Sequence, residues 1–429
     1  MKFNIVTFGC KVNYYESESM NQMMLESGYE LSESFTDSDI VIINSCTVTA
    51  ESDRKIRQLI NKVKRNNKNC IVVLAGCIPQ AFPQRFDYFN DVDIVIGNSN
   101  KNKISKMISN FIKNKNKLID IKNYDNNSKF ENLSVNKFQG HTRAFMKIED
   151  GCNRFCSYCI IPYSRGRVRS RKIEDIIDEA KKLSNNGYKE IVLVGINLSC
   201  YGSDIGKNLC DAVEAVCNID GIERVRLGSL EPELINLDVI RRLSNQKKFC
   251  PQFHLSLQSG CNKTLKDMNR HYSSEEYFKI TEMIRKSFKD AMITTDVMVG
   301  FPGETEEDFN ESVDFVSKVR FLKVHVFPYS VRPGTRAAKF NNQVDNSVKK
   351  QRAKKMIEIT NEISKKIISE NINRIYQVLY ERCIGNNVYE GYTNNYILIK
   401  TYSEENIKGK ILDTRILSQE NEYCKGEIV

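Results

Sequence analysis

Short apolar runs punctuate the N-terminal part of the chain: FNIVTF, DIVIINS, CIVVLAG and VDIVIGN. Each has the length of a buried strand. Amphipathic helical stretches separate them, Glu16 to Ser27 and Asp53 to Lys64, and Lys101 to Phe111 follows the last. Alternating strand and helix patterns predict a doubly wound parallel sheet. The polar, Asn-rich stretch NKNKLIDIKNYDNNSKFENLSVNKFQGH then reads as a connection, and a linker is expected over 119–141. A second alternation begins at Ala144. AFMKIED, EIVLVGIN, RVRLGS, QFHLSLQ, MITTDVMVG and VHVFPYS are strand-like, with helical patterns such as Lys172 to Ser184, Leu234 to Leu243, Ser274 to Ser287 and Thr305 to Val319 among them. Six strand–helix units predict a partial parallel (β/α)6 barrel. One long helix is expected from Ser347 to Glu370, with Ala353, Met356, Ile357, Ile363 and Ile367 on an apolar stripe. Beyond it, YQVLYE, YILIKTY and KGKILDTRIL are short β-rich pieces, the pattern of a small antiparallel barrel. The expected organisation is α/β, with domains over 1–118, 142–370 and 371–429.

Composition narrows the chemistry. The chain has 429 residues, 41% apolar and 28% charged. That balance builds real cores and excludes a wholly disordered or collagen-like chain. No apolar run is long enough to span a membrane, and the N-terminus lacks the apolar core of a secretory signal. A reducing cytoplasm is therefore expected, where the 14 cysteines stay unpaired. With only 4 histidines beside them, those thiols point to thiolate-held metal. The net charge is +10 and clustered. Arg54 to Cys70 holds seven basic and no acidic residues, and Lys101 to Lys117 holds six and none. Arg165, Arg167, Arg169, Arg171 and Lys172 crowd behind Cys159. Such runs suit a polyanion such as nucleic acid, or else form solvated helix faces.

Cys152, Cys156 and Cys159 form C-x3-C-x2-C just after the first predicted barrel strand. Three close thiolates can hold three corners of a 4Fe–4S cube, and no fourth cysteine lies nearby, so one iron stays open to a ligand. Structural zinc instead takes paired C-x2-C elements and closes at four ligands. A second triplet is dispersed. Cys10 follows FNIVTFG, Cys46 follows DIVIINS and Cys77 follows IVVLAG. All three fall just past the carboxyl ends of predicted parallel strands, the edge where open α/β sheets place ligands. Buried small residues near strand ends are the plainer alternative.

The motif C-x3-C-x-aromatic-C resembles the radical S-adenosylmethionine superfamily. The resemblance implies that the open iron binds S-adenosylmethionine and that the reduced cluster cleaves it to a 5′-deoxyadenosyl radical. It places Tyr158 near the adenine, Gly195 and Asn197 at the methionine end, and Ser229 and Glu231 at the ribose or amino group. Gln258 and Gly300 complete the ring. TFGCKVNYYESESM, INSCTVTAESDRKIRQ and VLAGCIPQ resemble the N-terminal domain of the methylthiotransferases, and RAFMKIEDGCNRFCSYCIIPYSRGRVRSR resembles their radical domain. The C-terminal barrel fits the small TRAM-like RNA-binding module of these enzymes. The resemblance implies two 4Fe–4S clusters, one on Cys10, Cys46 and Cys77 and one on Cys152, Cys156 and Cys159. The other eight cysteines match no ligand position.

The resemblance further implies that an unactivated C–H bond becomes C–SCH3. One S-adenosylmethionine methylates a cluster-bound sulfur and a second supplies the radical. The wording TFGCKVN, SCTVTAESDRK and CIIPYSRGRVRSR is closest to the group acting on threonylcarbamoyl-adenosine in the tRNA anticodon arm. The isopentenyl-adenosine group and the group acting on a ribosomal protein aspartate are the alternatives. Tyr389, Tyr392 and Tyr396 offer an RNA-stacking surface or the core of the small barrel. An electron donor such as flavodoxin or ferredoxin is implied, with no membrane partner and a monomer as the default. A non-catalytic iron–sulfur carrier would close its clusters with four ligands. An RNA-binding module with structural zinc would hold no iron.

Overall fold

The computed structural model describes residues 1–85, 90–125 and 128–429. The N-terminal runs form a six-stranded parallel sheet: β1 (Lys2–Thr7), β2 (Glu30–Leu31), β3 (Ile40–Ser45), β4 (Ile71–Gly76), β5 (Ile94–Ile96) and β6 (Leu118–Asp120), in the order β2-β1-β3-β4-β5-β6. β3 and β4 are buried at every position, as strands covered on both faces must be. Alternate residues go to opposite layers. Ile40, Ile42 and Val73 meet Met20 and Met24 of α1 (Lys11–Glu26). Val41, Ile43 and Leu74 meet Ile56, Ile60 and Val63 of α2 (Ala50–Asn66). The edge strands β2 and β6 are too short to show a pattern in the sequence. α3 (Cys77–Ala81) leaves β4 directly, and α4 (Ile104–Asn114) packs on the α1 side.

Two residues of the expected linker, 126 and 127, lie outside the described residues. Beyond them Leu133, Val135 and Phe138 are buried in the central core, so this polar stretch is anchored by three apolar side chains.

The central strands are β7 (Arg143–Lys147), β10 (Glu190–Val194), β11 (Arg224–Leu227), β12 (Ser229–Leu230), β13 (Gln252–Leu255), β14 (Met292–Val299) and β15 (Lys323–Pro328). Between β7 and β10, the short antiparallel pair β8 (Glu149–Asp150) and β9 (Arg169–Ser170) brackets the cysteine loop. The remaining pairs are parallel, in sheets β11-β10-β7 and β12-β13-β14-β15. A bridge between Val225 and Phe249 joins them into one arc. The helices α5 (Ile161–Arg165), α6 (Ile173–Asn185), α7 (Leu209–Cys217), α8 (Leu237–Ser244), α9 (Asn262–Asp267), α10 (Ser274–Ser287), α11 (Glu306–Val319) and α12 (Asn346–Ser369) follow in chain order. α10 and α11 start at capping boxes, Ser273 with Glu276 and Thr305 with Asp308. Met146, Ile191, Leu193, Val225, Phe253 and Leu255 join the core with the helices. By the two-residue period of strands, Arg143, Lys147, Glu190, Arg226, His254 and Asp296 then line the concave side. On α12, Met356 is fully buried, whereas Ile357 of the expected stripe is exposed.

The C-terminal part is a closed five-stranded barrel of β16 (Ile375–Cys383), β17 (Val388–Thr393), β18 (Leu398–Tyr402), β19 (Ile411–Glu420) and β20 (Tyr423–Ile428). Only the β18–β20 pairing is parallel. The barrel docks on the arc through arginines. Arg224 donates to the carbonyls of Gln377 and Tyr392, and Arg226 to those of Thr393 and Asn394. Among the described residues no helix is long and apolar enough to cross a membrane.

Candidate active site

β1, β3 and β4 are neighbours in the sheet, so their carboxyl ends bring Cys10, Cys46 and Cys77 to one edge. Cys10 caps the N-terminus of α1, and Cys77 opens α3. Gly9 makes the approach tight, since a Cβ there would sit 3.0 Å from the Cys46 Cβ at a φ of +127°. Gly76 is equally constrained, with φ +102° and the Ser45 carbonyl 2.6 Å from where a Cβ would be. Polar atoms reach the sulfurs. Cys10 Sγ lies 3.4 Å from Asn13 Oδ1, and the Asn98 amide donates to Cys77 Sγ at 3.4 Å. Burial pushes the free Cys46 thiol up to about 12, and the nearby Cys77 and Cys10 add to it.

Behind this edge lies a buried ion network. The Glu16 carboxylate accepts from Lys101 at 2.5 Å, Lys147 at 2.7 Å and Arg165 at 2.6 Å. Asp150 accepts from Lys147 at 2.6 Å. Burial would raise Glu16, but Arg165, Lys101 and Lys147 bring its carboxyl well below the usual range. Arg165 also donates to Asn13 Oδ1, the atom beside Cys10 Sγ. Lys101, Lys147, Arg165 and Arg169 thus surround Glu16 and Asp150, with the buried carboxyls of Glu131 and Glu149 at the edge of the network. Among these cations Arg165 opposes the burial penalty at both Cys10 and Cys46, which favours their thiolates. The donor set therefore fits an anionic thiolate-bound cluster.

Cys152, Cys156 and Cys159 lie on the loop between β8 and α5. The Arg154 amide and the Asn197 side chain each donate to Cys152 Sγ at 3.5 Å, and Arg270 donates to Cys156 Sγ at 3.4 Å. Burial raises the free Cys152 thiol to about 12 and pushes Cys159 higher still. Among the described residues, neither cysteine triplet has all its sulfurs within 4.8 Å of one another.

The other expected site residues distribute as follows. Asn197 contacts Cys152, and its backbone N–H donates to Glu149 Oε2 at 2.7 Å. Gly195 stands beside Glu149, whose Oε2 would be 2.6 Å from a Cβ there. Glu149 Oε1 and Asn197 Oδ1 are buried without a hydrogen-bond partner, a pair of acceptors next to Cys152. Glu231 is ion-paired to Arg270, which ties it to Cys156. Tyr158 packs edge-on to Phe301 at 6.4 Å. Gln258 has a φ of +68°, bonds Asp296 and Met298 through its backbone, and is buried. Ser229 is exposed at its strand end. The Gly300 amide is already taken by Glu304 at 2.8 Å, and a Cβ on Gly300 would strike Lys349 of α12.

Two sequence expectations change. Arg165, Arg169 and Arg171 are buried in ion pairs with Glu16, Asp150 and Glu179 and offer no surface to a polyanion. Lys101, from the second basic run, is fully buried as well. The C-terminal tyrosines are also engaged. Tyr389 is in the small barrel's core, and Tyr392 and Tyr396 stack on each other at 4.6 Å beneath Arg143 and Arg226. Asn13, Glu16, Asn98, Glu149, Arg165 and Arg270 carry no site signal in the sequence, because none belongs to a spaced set of like ligands.

Residues 146–316 match the Radical SAM superfamily, and residues 2–97 match Uncharacterized protein family UPF0004. The chain is 36% identical to the threonylcarbamoyladenosine tRNA methylthiotransferase MtaB of Bacillus subtilis (strain 168), covering 99% of this chain and 95% of the relative. It is 37% identical to a tRNA-2-methylthio-N(6)-dimethylallyladenosine synthase of Pelotomaculum thermopropionicum, covering 89% and 86%. The fold resembles that of the radical S-adenosylmethionine methyltransferase TsrM from Kitasatospora setae, solved with cobalamin and a 4Fe–4S cluster bound. That likeness has a TM-score of 0.58 at 13% identity, over 78% of this chain and 73% of the other. The chain belongs to the radical S-adenosylmethionine methylthiotransferases, enzymes that work with S-adenosylmethionine and a 4Fe–4S cluster.

Proposed function

We propose that this protein methylthiolates C2 of threonylcarbamoyl-adenosine beside the anticodon of tRNA, with two 4Fe–4S clusters. Cys152, Cys156 and Cys159 hold the radical cluster, and Cys10, Cys46 and Cys77 the auxiliary one. The observation that carries this reading is the pair of three-cysteine sites, each one ligand short of a closed four-iron cube, with Arg165, on the helix that follows Cys159, bonded to Asn13 beside Cys10. When bound, the radical cluster supplies the electron that splits S-adenosylmethionine, and the auxiliary cluster holds the sulfur to be transferred.

The chain's own groups then bind and orient. The free acceptors of Glu149 and Asn197 suit the ammonium of S-adenosylmethionine beside Cys152. Gly195 keeps that space open for Glu149. Tyr158 and Phe301 form an aromatic wall for the adenine. Glu231, steered by Arg270, faces the ribose side with Ser229, while Gln258 and Gly300 close the rim. The reductant is a small carrier such as flavodoxin or ferredoxin, and the enzyme acts as a monomer in the cytoplasm.

Identity alone does not separate the two tRNA substrates, at 36% and 37%. Chemistry does. A dimethylallyl group is apolar, and the concave side of the arc carries the part-exposed polar groups His254 and Asp296. A threonylcarbamoyl group is polar and anionic.

Anaerobically reconstituted protein should hold about eight irons. The triple variant Cys152→Ala, Cys156→Ala, Cys159→Ala should keep half of them. The triple variant at Cys10, Cys46 and Cys77 should still form 5′-deoxyadenosine but no methylthio product. Full iron content in either variant overturns the two-cluster assignment.

A further inference from the structure

The concave side of the arc holds charged groups that neither cluster site uses. Arg226 is matched by Glu190 at 2.8 Å, and Arg143 by Glu381 at 2.8 Å and Glu190 at 3.9 Å. On the opposite side, parallel register aligns His254 with Thr294 and Asp296 with His325. His254 Nε2 lies 3.2 Å from Asp296 Oδ2, and its Nδ1 is 3.0 Å from the Thr294 hydroxyl. The ligand atoms of His254, Asp296 and His325 all lie within 4.8 Å of one another.

Two ammonium groups complete the set. Lys323 is on the same face of β15 as His325 and is exposed. Lys11 opens α1 directly after Cys10. The start of α1 is seated inside the arc, because Val12 packs on Val192, Val194 and Phe145. Lys11 is thereby within electrostatic reach of Arg143, Arg226 and Tyr396 on one side and of His325 on the other. Neither Lys11 nor Lys323 has a hydrogen-bonded or ion-paired partner among the described residues. Glu190 and Glu381 are matched by Arg226 and Arg143, so Lys11 and Lys323 face the single carboxylate of Asp296 and leave the chamber with uncompensated positive charge. The same field stands against a cation at His254, Asp296 and His325.

We propose that this chamber receives an anion, and that Lys11, supported by Lys323, binds the carboxylate of the threonylcarbamoyl substituent. The proposal rests on the substrate reading above and adds the residue that selects for it. An adenine held near both clusters would direct its N6 substituent into the chamber, and the carboxylate is the one anionic group that substituent carries. Lys11 neighbours Cys10, so recognition of the substituent and placement of the base beside the auxiliary site are coupled.

The test uses full-length reconstituted enzyme and two synthetic anticodon stem-loops. One bears threonylcarbamoyl-adenosine, the other its uncharged carboxamide, and the phosphates are identical in both. The wild-type enzyme should prefer the acid in kcat/KM by about tenfold to a hundredfold, the range of a charge-assisted hydrogen bond. Lys11→Gln should lose that factor on the acid and little on the amide, with iron content unchanged. Lys323→Gln, remote from every cysteine ligand, should shift the ratio the same way by less. Equal losses on both loops would assign Lys11 to the phosphates or to the fold and overturn the proposal, as would a wild-type enzyme indifferent to the carboxylate. If Lys11→Gln loses iron, the Lys323→Gln ratio decides: an unchanged ratio overturns the proposal. If the wild-type enzyme modifies neither loop, the substrate reading itself fails and this proposal with it.

Discussion

Arg165 stands in an arginine-rich stretch that reads as an RNA surface, yet it is fully buried and joins the two halves of the catalytic region. It follows Cys159 on α5 and reaches Glu16 and Asn13 on α1, the helix that Cys10 caps. Removing one partner from a buried ion network leaves the others uncompensated and costs about 3–5 kcal/mol. Arg165→Met should therefore unfold at clearly lower temperature and lose iron from the auxiliary site before the radical site. Wild-type melting with full iron retention would show that the network is incidental. Arg270 acts differently, since it donates to Cys156 Sγ while holding Glu231. Hydrogen bonds to cluster sulfurs raise the reduction potential. Arg270→Gln should lower the potential of the radical cluster in a spectroscopic redox titration, and an unchanged potential would remove this role. The two cysteine triplets were legible in the sequence, one as C-x3-C-x2-C on a single loop and one as like residues recurring at strand ends. Arg165 and Arg270 were not, because charge in sequence does not say whether its partner is water or a buried carboxylate.

The strands and helices themselves were largely written in the periodicity. α10 spans Ser274–Ser287 as its pattern predicts, β3, β4 and β5 lie within their apolar runs, and β1 begins one residue before its own. What periodicity could not supply is which surfaces meet. The C-terminal barrel reads as an independent module, but its carbonyls cap Arg224 and Arg226, and Glu381 pairs with Arg143. Tyr396 reaches that interface with a φ of +81°, a conformation bulky residues rarely adopt. Deleting 375–429 should therefore destabilise the central arc as well as weaken tRNA binding. A truncated chain with the full-length melting temperature would refute that coupling. The same interface sets an acid limit. Burial would raise the Glu190 carboxyl, but Arg226 and Arg143 hold it down at about 2. Its contribution is complete above the ordinary glutamate value near 4.3 and is lost as the pH falls through about 2, on the order of 3 kcal/mol. Glu190→Gln should be less stable at neutral pH and lose less on acidification from about pH 5 to 2. An acid limb as steep as the wild type's would contradict this.

Taken together, the N-terminal sheet and the arc are fastened on two sides of one chamber. Glu16 meets Lys147 and Arg165 on one side, and on the other Arg332 meets Thr47 and Asp53. The clamps hold the two cysteine triplets in a fixed relation, which transfer of sulfur to a carbon activated by a radical requires. The sequence could place one triplet at strand ends and the other after the first arc strand, but not the entry of α1 into the arc, a contact between residues far apart in the chain. The most direct test offers the reduced holoenzyme equal amounts of tRNA bearing threonylcarbamoyl-adenosine and tRNA bearing isopentenyl-adenosine, followed by mass analysis of the digested nucleosides. The account predicts a methylthio group on the threonylcarbamoyl nucleoside and little on the other. Preferential modification of the isopentenyl nucleoside, or of neither, would contradict it.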